Sequence, residues 1–196
     1  TQDTGQPQND QPTVKTSLVF VGLMGVGKSS VGRKVAHLLG LEFADADLEI
    51  EAAAGRSIPE IFRDFGEPAF REGERKVIKR LLGEKTLVLA TGGGAYMDAS
   101  TRDVIKETAI SIWLNADIRV LVERVGRNEG RPLLTGENAS EKLKDLSKVR
   151  NPVYALADIH LNTTGFNLNE SANAVLNALK DKGYTFTDNR ETKVDT

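Results

Sequence analysis

Strand-patterned segments alternating with helix-patterned ones predict an α/β domain built on a five-stranded parallel sheet with right-handed crossovers. Three observations carry that expectation. Residues 86–90 are almost wholly apolar, as in a strand covered on both faces. Lys28–Leu39 places Val31, Val35, Leu38 and Leu39 at helical spacing. A glycine-rich run joins that helix to a β-rich segment just before it. At 196 residues the chain suits one domain, whose core needs no disulfide or structural metal.

The elements follow in order. Residues 1–15 are rich in Gln, Asn, Asp and Pro and read as a disordered tail. Ser17–Val21 is the first strand, and Gly40 stops the first helix. Residues 42–44 form a second strand and 48–54 a helix. A further helix over 59–65 has proline in its first turn and ends at Gly66. Pro68 opens a longer helix with Phe70, Val77, Ile78, Leu81 and Leu82 on one side; Phe62 and Phe70 read as core, with a substrate wall as the alternative. Strands at 86–90, 110–114 and 159–161 and helices at 118–125 and 169–182 complete the domain, residues 16–183. Residues 184–196 read as a C-terminal tail in which Tyr184 and Phe186 are able to dock.

Composition excludes several classes. The chain has no cysteine, so disulfides and thiolate metal sites are impossible, and a reducing compartment fits. A net charge of −2 with 28% charged residues gives no basic field for nucleic acid or an acidic membrane. The most apolar stretch, 18–26, is too short to span a bilayer, and no signal-peptide pattern opens the sequence. The expectation is a soluble cytoplasmic protein. His37 and His160 belong to no motif.

Gly22-Leu23-Met24-Gly25-Val26-Gly27-Lys28-Ser29 fits G-x-x-x-x-G-K-[ST] between a strand and a helix. Glycines let the backbone fold so that its N–H groups meet phosphate oxygens at the positive end of the helix. Lys28 has the reach for the β- and γ-phosphates, and the Ser29 hydroxyl is a Mg²⁺ ligand. Such a loop binds a nucleotide without naming a reaction.

Other residues supply the acceptor side. Asp45 and Asp47 stand two apart at the end of the second strand, which aims both carboxylates at one cavity. One suits Mg²⁺, directly or through water, and the other suits the proton of a substrate hydroxyl; the plain alternative makes Asp47 a helix N-cap. Arg71 and Glu74 lie three apart on a helix, so the carboxylate orients a guanidinium able to grip a substrate carboxylate. The alternative is an ordinary exposed ion pair. Thr91-Gly92-Gly93-Gly94 follows a buried strand where backbone approaches ligand closely. The polar segment 126–141, with Arg131-Pro132-Leu133-Leu134, has the look of a mobile lid, with Arg127 and Arg150 beside it.

Together these motifs resemble those of shikimate kinase, in order and at similar spacing over residues 18–179. The resemblance implies a P-loop NTPase-type three-layer α/β/α fold, nucleoside-monophosphate-kinase-like, with a mobile lid. It implies ATP-dependent phosphorylation of the 3-hydroxyl of shikimate, a step towards chorismate and aromatic amino acids, by a monomer. ATP falls to Gly25, Val26, Gly27, Lys28, Ser29, Ser30, Arg127 and Arg131, and Mg²⁺ to Ser29 and Asp45. Shikimate falls to Asp47, Arg71, Gly93 and Arg150, the last in Arg150-Asn151-Pro152-Val153-Tyr154. Asp47, Lys28 and Arg131 are the implied catalytic residues. The adenine-stacking arginine is assigned to Arg127, with Arg124 as competitor, and 163–169 lacks the proline the family often places on the opposite face. A kinase of another sugar acid, such as gluconate, is the alternative, and a silent nucleotide-binding module comes after it.

Overall fold

The computed structural model describes residues 16–126 and 139–184. Its strands are β1 (Ser17–Val21), β2 (Glu42–Asp45), β3 (Leu87–Ala90), β4 (Ala109–Asn115) and β5 (Ile159–Asn162). All pair in parallel in the order β2-β3-β1-β4-β5. β1 is thus central, with Leu18 opposite Val88 on one side and Ile110 on the other. Its apolar residues are wholly buried because helices cover both faces.

The helices are α1 (Lys28–Leu39), α2 (Ala46–Ala54), α3 (Ile58–Glu84), α4 (Ala99–Thr108), α5 (Ile118–Gly126), α6 (Ala139–Tyr154) and α7 (Leu168–Asp181). α1 packs on β2 and β3 and against α7, while α4 packs on β4 and against α3. This is the α/β/α layering the family resemblance implies.

Four local differences from the sequence expectation have physical causes. α2 starts at Ala46 rather than 48, because the Asp45 side chain caps it by accepting from the Asp47 N–H at 3.1 Å. Asp45, not Asp47, is therefore the N-cap, and Asp47 stands in a helical turn rather than on the strand. The two helices expected on either side of Gly66 form one span kinked there, with Gly66 at φ 79° and ψ 172°. α4 and a 3₁₀ turn at Ala95–Met97 stand where the sequence pattern predicts no element. Helix reaches both edges of the segment expected to be a lid, since α5 runs to Gly126 and α6 starts at Ala139. The tail 1–15, residues 127–138 and residues 185–196 lie outside the described residues. Tyr184 docks against the core, and its N–H donates to Leu179 O at 3.0 Å.

Candidate active site

The phosphate loop turns from β1 into α1 through positive φ at Gly22, Gly25 and Gly27. Gly22 also needs its missing side chain, because a Cβ there would collide with the Leu114 carbonyl oxygen of β4. Lys28 Nζ is buried within the loop and donates to Gly22 O at 2.8 Å and Leu23 O at 3.0 Å, bracing the turn. The first turn of α1 carries no acidic residue, which leaves the positive helix end unopposed for an anion. Ser29 and Ser30 occupy that first turn, Ser30 exposed. Val26 is buried, and its carbonyl accepts from Arg124 Nη1 at 3.3 Å. Of the two candidate adenine arginines, Arg124 lies against the loop; Arg127 lies outside the described residues, as does Arg131.

The two aspartates diverge rather than face one way. Asp45 turns to the loop, where Oδ2 accepts from Ser29 Oγ at 2.6 Å. Asp47 turns to the glycine triplet, with Oδ1 2.8 Å from where a Gly92 Cβ would stand. Glu74 Oε1 lies 3.3 Å from the same point. That oxygen is buried with no hydrogen-bond partner among the described residues. Burial pushes the Glu74 carboxyl above its usual range against the pull of the Arg71 hydrogen bond, and the Asp47 charge adds to the rise.

Each glycine of the triplet meets a different site side chain. Beyond the Gly92 contacts, a Cβ at Gly93 would stand 3.0 Å from Arg150 Nη1, and one at Gly94 would stand 2.7 Å from Arg71 Cζ. The triplet is therefore a wall against which an aspartate and two arginines rest, which explains three small residues in succession. Thr91 anchors its start, since both Oγ1 and N–H donate to Phe20 O of β1, at 2.9 and 3.2 Å. Tyr154 of α6, fully buried, donates its hydroxyl to Gly93 O. Burial pushes that phenol up to about 12 despite the nearby Arg150 charge.

Arg71 bonds Glu74 Oε2 at 2.7 Å, and Glu74 is only 2% exposed, so this is not an ordinary surface pair. Its Cζ also lies 5.0 Å from the Phe70 ring centroid. Phe70 is core, whereas Phe62, 4.6 Å from it ring to ring, is 37% exposed. Arg71, Gly94 and Arg150 line one cavity of about 300 Å³ with Glu67, Met97 and Asp98. Two guanidiniums on one wall suit a carboxylate.

Sequence reasoning missed the network that braces the turn carrying Met97 and Asp98, two of the lining residues. Arg102 of α4 donates to the carbonyls of Tyr96 and Met97 at 2.8 and 2.9 Å and so pins the 3₁₀ turn. The Tyr96 hydroxyl donates to Ser111 Oγ at 3.4 Å, and Ser111 donates to Asp158 Oδ2 at 2.6 Å. One signal was legible: Asp98 caps α4 through the Thr101 N–H at 2.8 Å, an acidic cap three residues before its donor.

A phosphate loop on the central strand of a parallel sheet, with a cavity lined by two arginines beside it, defines the class of phosphate-loop small-molecule kinases. The shikimate kinase family model matches residues 24–180. The shikimate kinase of Caulobacter vibrioides is 53% identical over 169 residues, 86% of this chain and 84% of that one. That of Brucella canis is 54% identical over 146 residues, 74% and 73% of the two chains. Among solved structures, a shikimate kinase of Acinetobacter baumannii in complex with shikimate superposes with a TM-score of 0.81 at 39% identity, covering 87% of this chain and 96% of that one. The chain belongs to the shikimate kinase family, and it is a kinase.

Proposed function

We infer that the chain transfers the γ-phosphoryl group of ATP to the 3-hydroxyl of shikimate, giving shikimate 3-phosphate and ADP. The observation that carries this reading is the pairing of Arg71 and Arg150 in one cavity at the sheet edge that bears the phosphate loop. Those guanidiniums hold the acceptor's carboxylate, with Gly93 at its ring. Asp47, across Gly92, orients the attacking hydroxyl and takes its proton as the oxygen–phosphorus bond forms and ADP leaves. Lys28 and Arg131 offset charge on the transferring phosphoryl group. Gly25, Val26, Gly27, Ser29 and Ser30 cradle the phosphates by backbone and hydroxyl. Arg127 is assigned to adenine, with Arg124 the competing residue.

The donor set near the loop fits magnesium. Ser29 Oγ and Asp45 Oδ2 are hard oxygens 2.6 Å apart. No group of three acidic or histidine side chains among the described residues forms a protein cage. That combination suits an ion held largely by phosphate and water. Bound there, Mg²⁺ supplies charge neutralisation at the phosphate oxygens.

No helix among the described residues is long and apolar enough to cross a membrane. A cytoplasmic monomer acting on small molecules is the accompanying proposal.

The test is coupled ADP release with MgATP and either shikimate or gluconate. Turnover is expected with shikimate and at most marginally with gluconate. Asp47→Asn should lower kcat by about a hundredfold or more, the scale of lost general-base assistance, while ATP still binds. Equal turnover of both acids would defeat the substrate assignment, and a near-normal Asp47→Asn enzyme would remove Asp47 from the chemistry.

A further inference from the structure

Arg71 offers two edges, and each meets a different glutamate. Nη1 donates to Glu74 Oε2 at 2.7 Å, deep in the wall. Nε and Nη2 form the other edge, one of those through which a guanidinium grips a carboxylate with two parallel bonds. Both donate to a single oxygen, Glu67 Oε1, at 3.3 Å each. A carboxylate of the chain itself therefore lies where an acceptor's carboxylate would engage Arg71.

The two contacts differ in strength. Glu74 is 2% exposed, whereas Glu67 is 63% exposed and lines the cavity mouth beside Arg71 and Arg150. Long bonds to one oxygen of an exposed side chain make the kind of pair that contributes little to stability.

We propose that Glu67 is a displaceable internal carboxylate that occupies the open edge of Arg71 until the acceptor's carboxylate replaces it. A simple carboxylate that reaches Arg71 alone gains roughly what the loss of Glu67 forfeits. An acceptor whose carboxylate bridges Arg71 and Arg150 meets the same cost and offsets it with a second guanidinium. The proposal rests on the reading that these two arginines receive the acceptor's carboxylate.

Calorimetric titration of the full chain tests it with three ligands: shikimate, shikimate methyl ester and acetate. Glu67→Gln should bind shikimate about two- to fivefold more tightly, the range left by removing an exposed competing ion pair. Acetate affinity should rise by at least the same factor, and methyl ester affinity should not change. Unchanged or weakened shikimate binding would overturn the proposal, the latter by making Glu67 a support for Arg71 rather than a competitor. An equal gain for the ester would overturn it too, by showing that the effect bypasses the carboxylate. Arg71→Met separates the two layers of the argument. If it weakens shikimate binding while Glu67→Gln strengthens nothing, only the role of Glu67 falls; if it leaves shikimate binding intact, the carboxylate site falls with it.

Discussion

A methyl group on Gly94 would press on the far end of the Arg71 side chain, with Cζ 2.7 Å from the new carbon. That end is flexible, but it cannot move aside and keep its bond to the buried Glu74 carboxylate or its place at the cavity. Gly94→Ala should therefore be less stable than the wild type by about 1–3 kcal/mol, the usual range of overpacking. Its KM for shikimate should rise by about tenfold or more, the effect expected of a misplaced positioning group, and its KM for ATP should hold. Steady-state kinetics alongside denaturant melts check this, and an unchanged KM for shikimate would show that Arg71 does not work from its position against the triplet. Residue identity alone did not give this geometry. The triplet reads from sequence as room for a ligand, whereas in the structure each of its glycines makes room for a protein side chain.

α6 shows how one helix serves the site at two levels, because Arg150 and Tyr154 stand one turn apart on it. Arg150 faces the cavity, and Tyr154 holds the Gly93 carbonyl from beneath. Tyr154→Phe keeps the ring and removes the hydroxyl, which should cost about 1–2 kcal/mol at neutral pH for a buried carbonyl left unpaired. The phenol of Tyr154 is pushed up to about 12 in the folded chain, against an ordinary value near 10. Between those two values the unfolded chain has released the proton and the native chain still holds it, so wild-type stability falls as pH rises. The loss approaches about 2–3 kcal/mol by the folded pKa. The wild type should thus exceed Tyr154→Phe in stability below pH 10 and lose that advantage towards pH 12. Denaturant melts of both proteins across that range decide it, and a constant difference would deny Tyr154 the shift. Burial raises the Tyr96 phenol too, so the difference between variant and wild type is the informative quantity. How much of the fold was legible also varies by element. β1, the loop and α1 were readable because motif and apolar period agree there, and buried β3 because continuous apolar runs betray a covered strand. α6 had no such signal of its own: Pro152 lies inside it and argues against a helix. The helix tolerates that proline because the carbonyl it leaves without a donor belongs to exposed Lys148, within reach of solvent. α4 was unmarked because it buries only Thr101 and Ile105.

Across the whole molecule, the cavity proposed for the acceptor is assembled from parts far apart in the chain. Arg71 comes from α3, Gly94 from the turn after β3, and Arg150 from α6. Local patterns cannot foretell such a meeting, since the parallel sheet order alone brings those connections to one edge. Arg150 was accordingly legible only through family resemblance, whereas the phosphate loop, contiguous in sequence, was legible by itself. On the proposed assignment, the same assembly makes acceptor binding a clamp on the native state. Shikimate that bridges α3, the glycine turn and α6 binds only the folded chain, so it should stabilise by about 2.7 kcal/mol at a hundred times its Kd. For a domain of this size that corresponds to a rise in melting temperature of about 5–10 °C. Arg150→Met removes one jaw of the clamp and leaves the phosphate loop untouched. Its shikimate-induced shift at the same concentration should fall to less than about half, as a Kd raised by more than about tenfold requires, while its ATP-induced shift matches the wild type. Thermal melts with each ligand alone measure both, and a full shikimate shift in Arg150→Met would exclude α6 from the acceptor site.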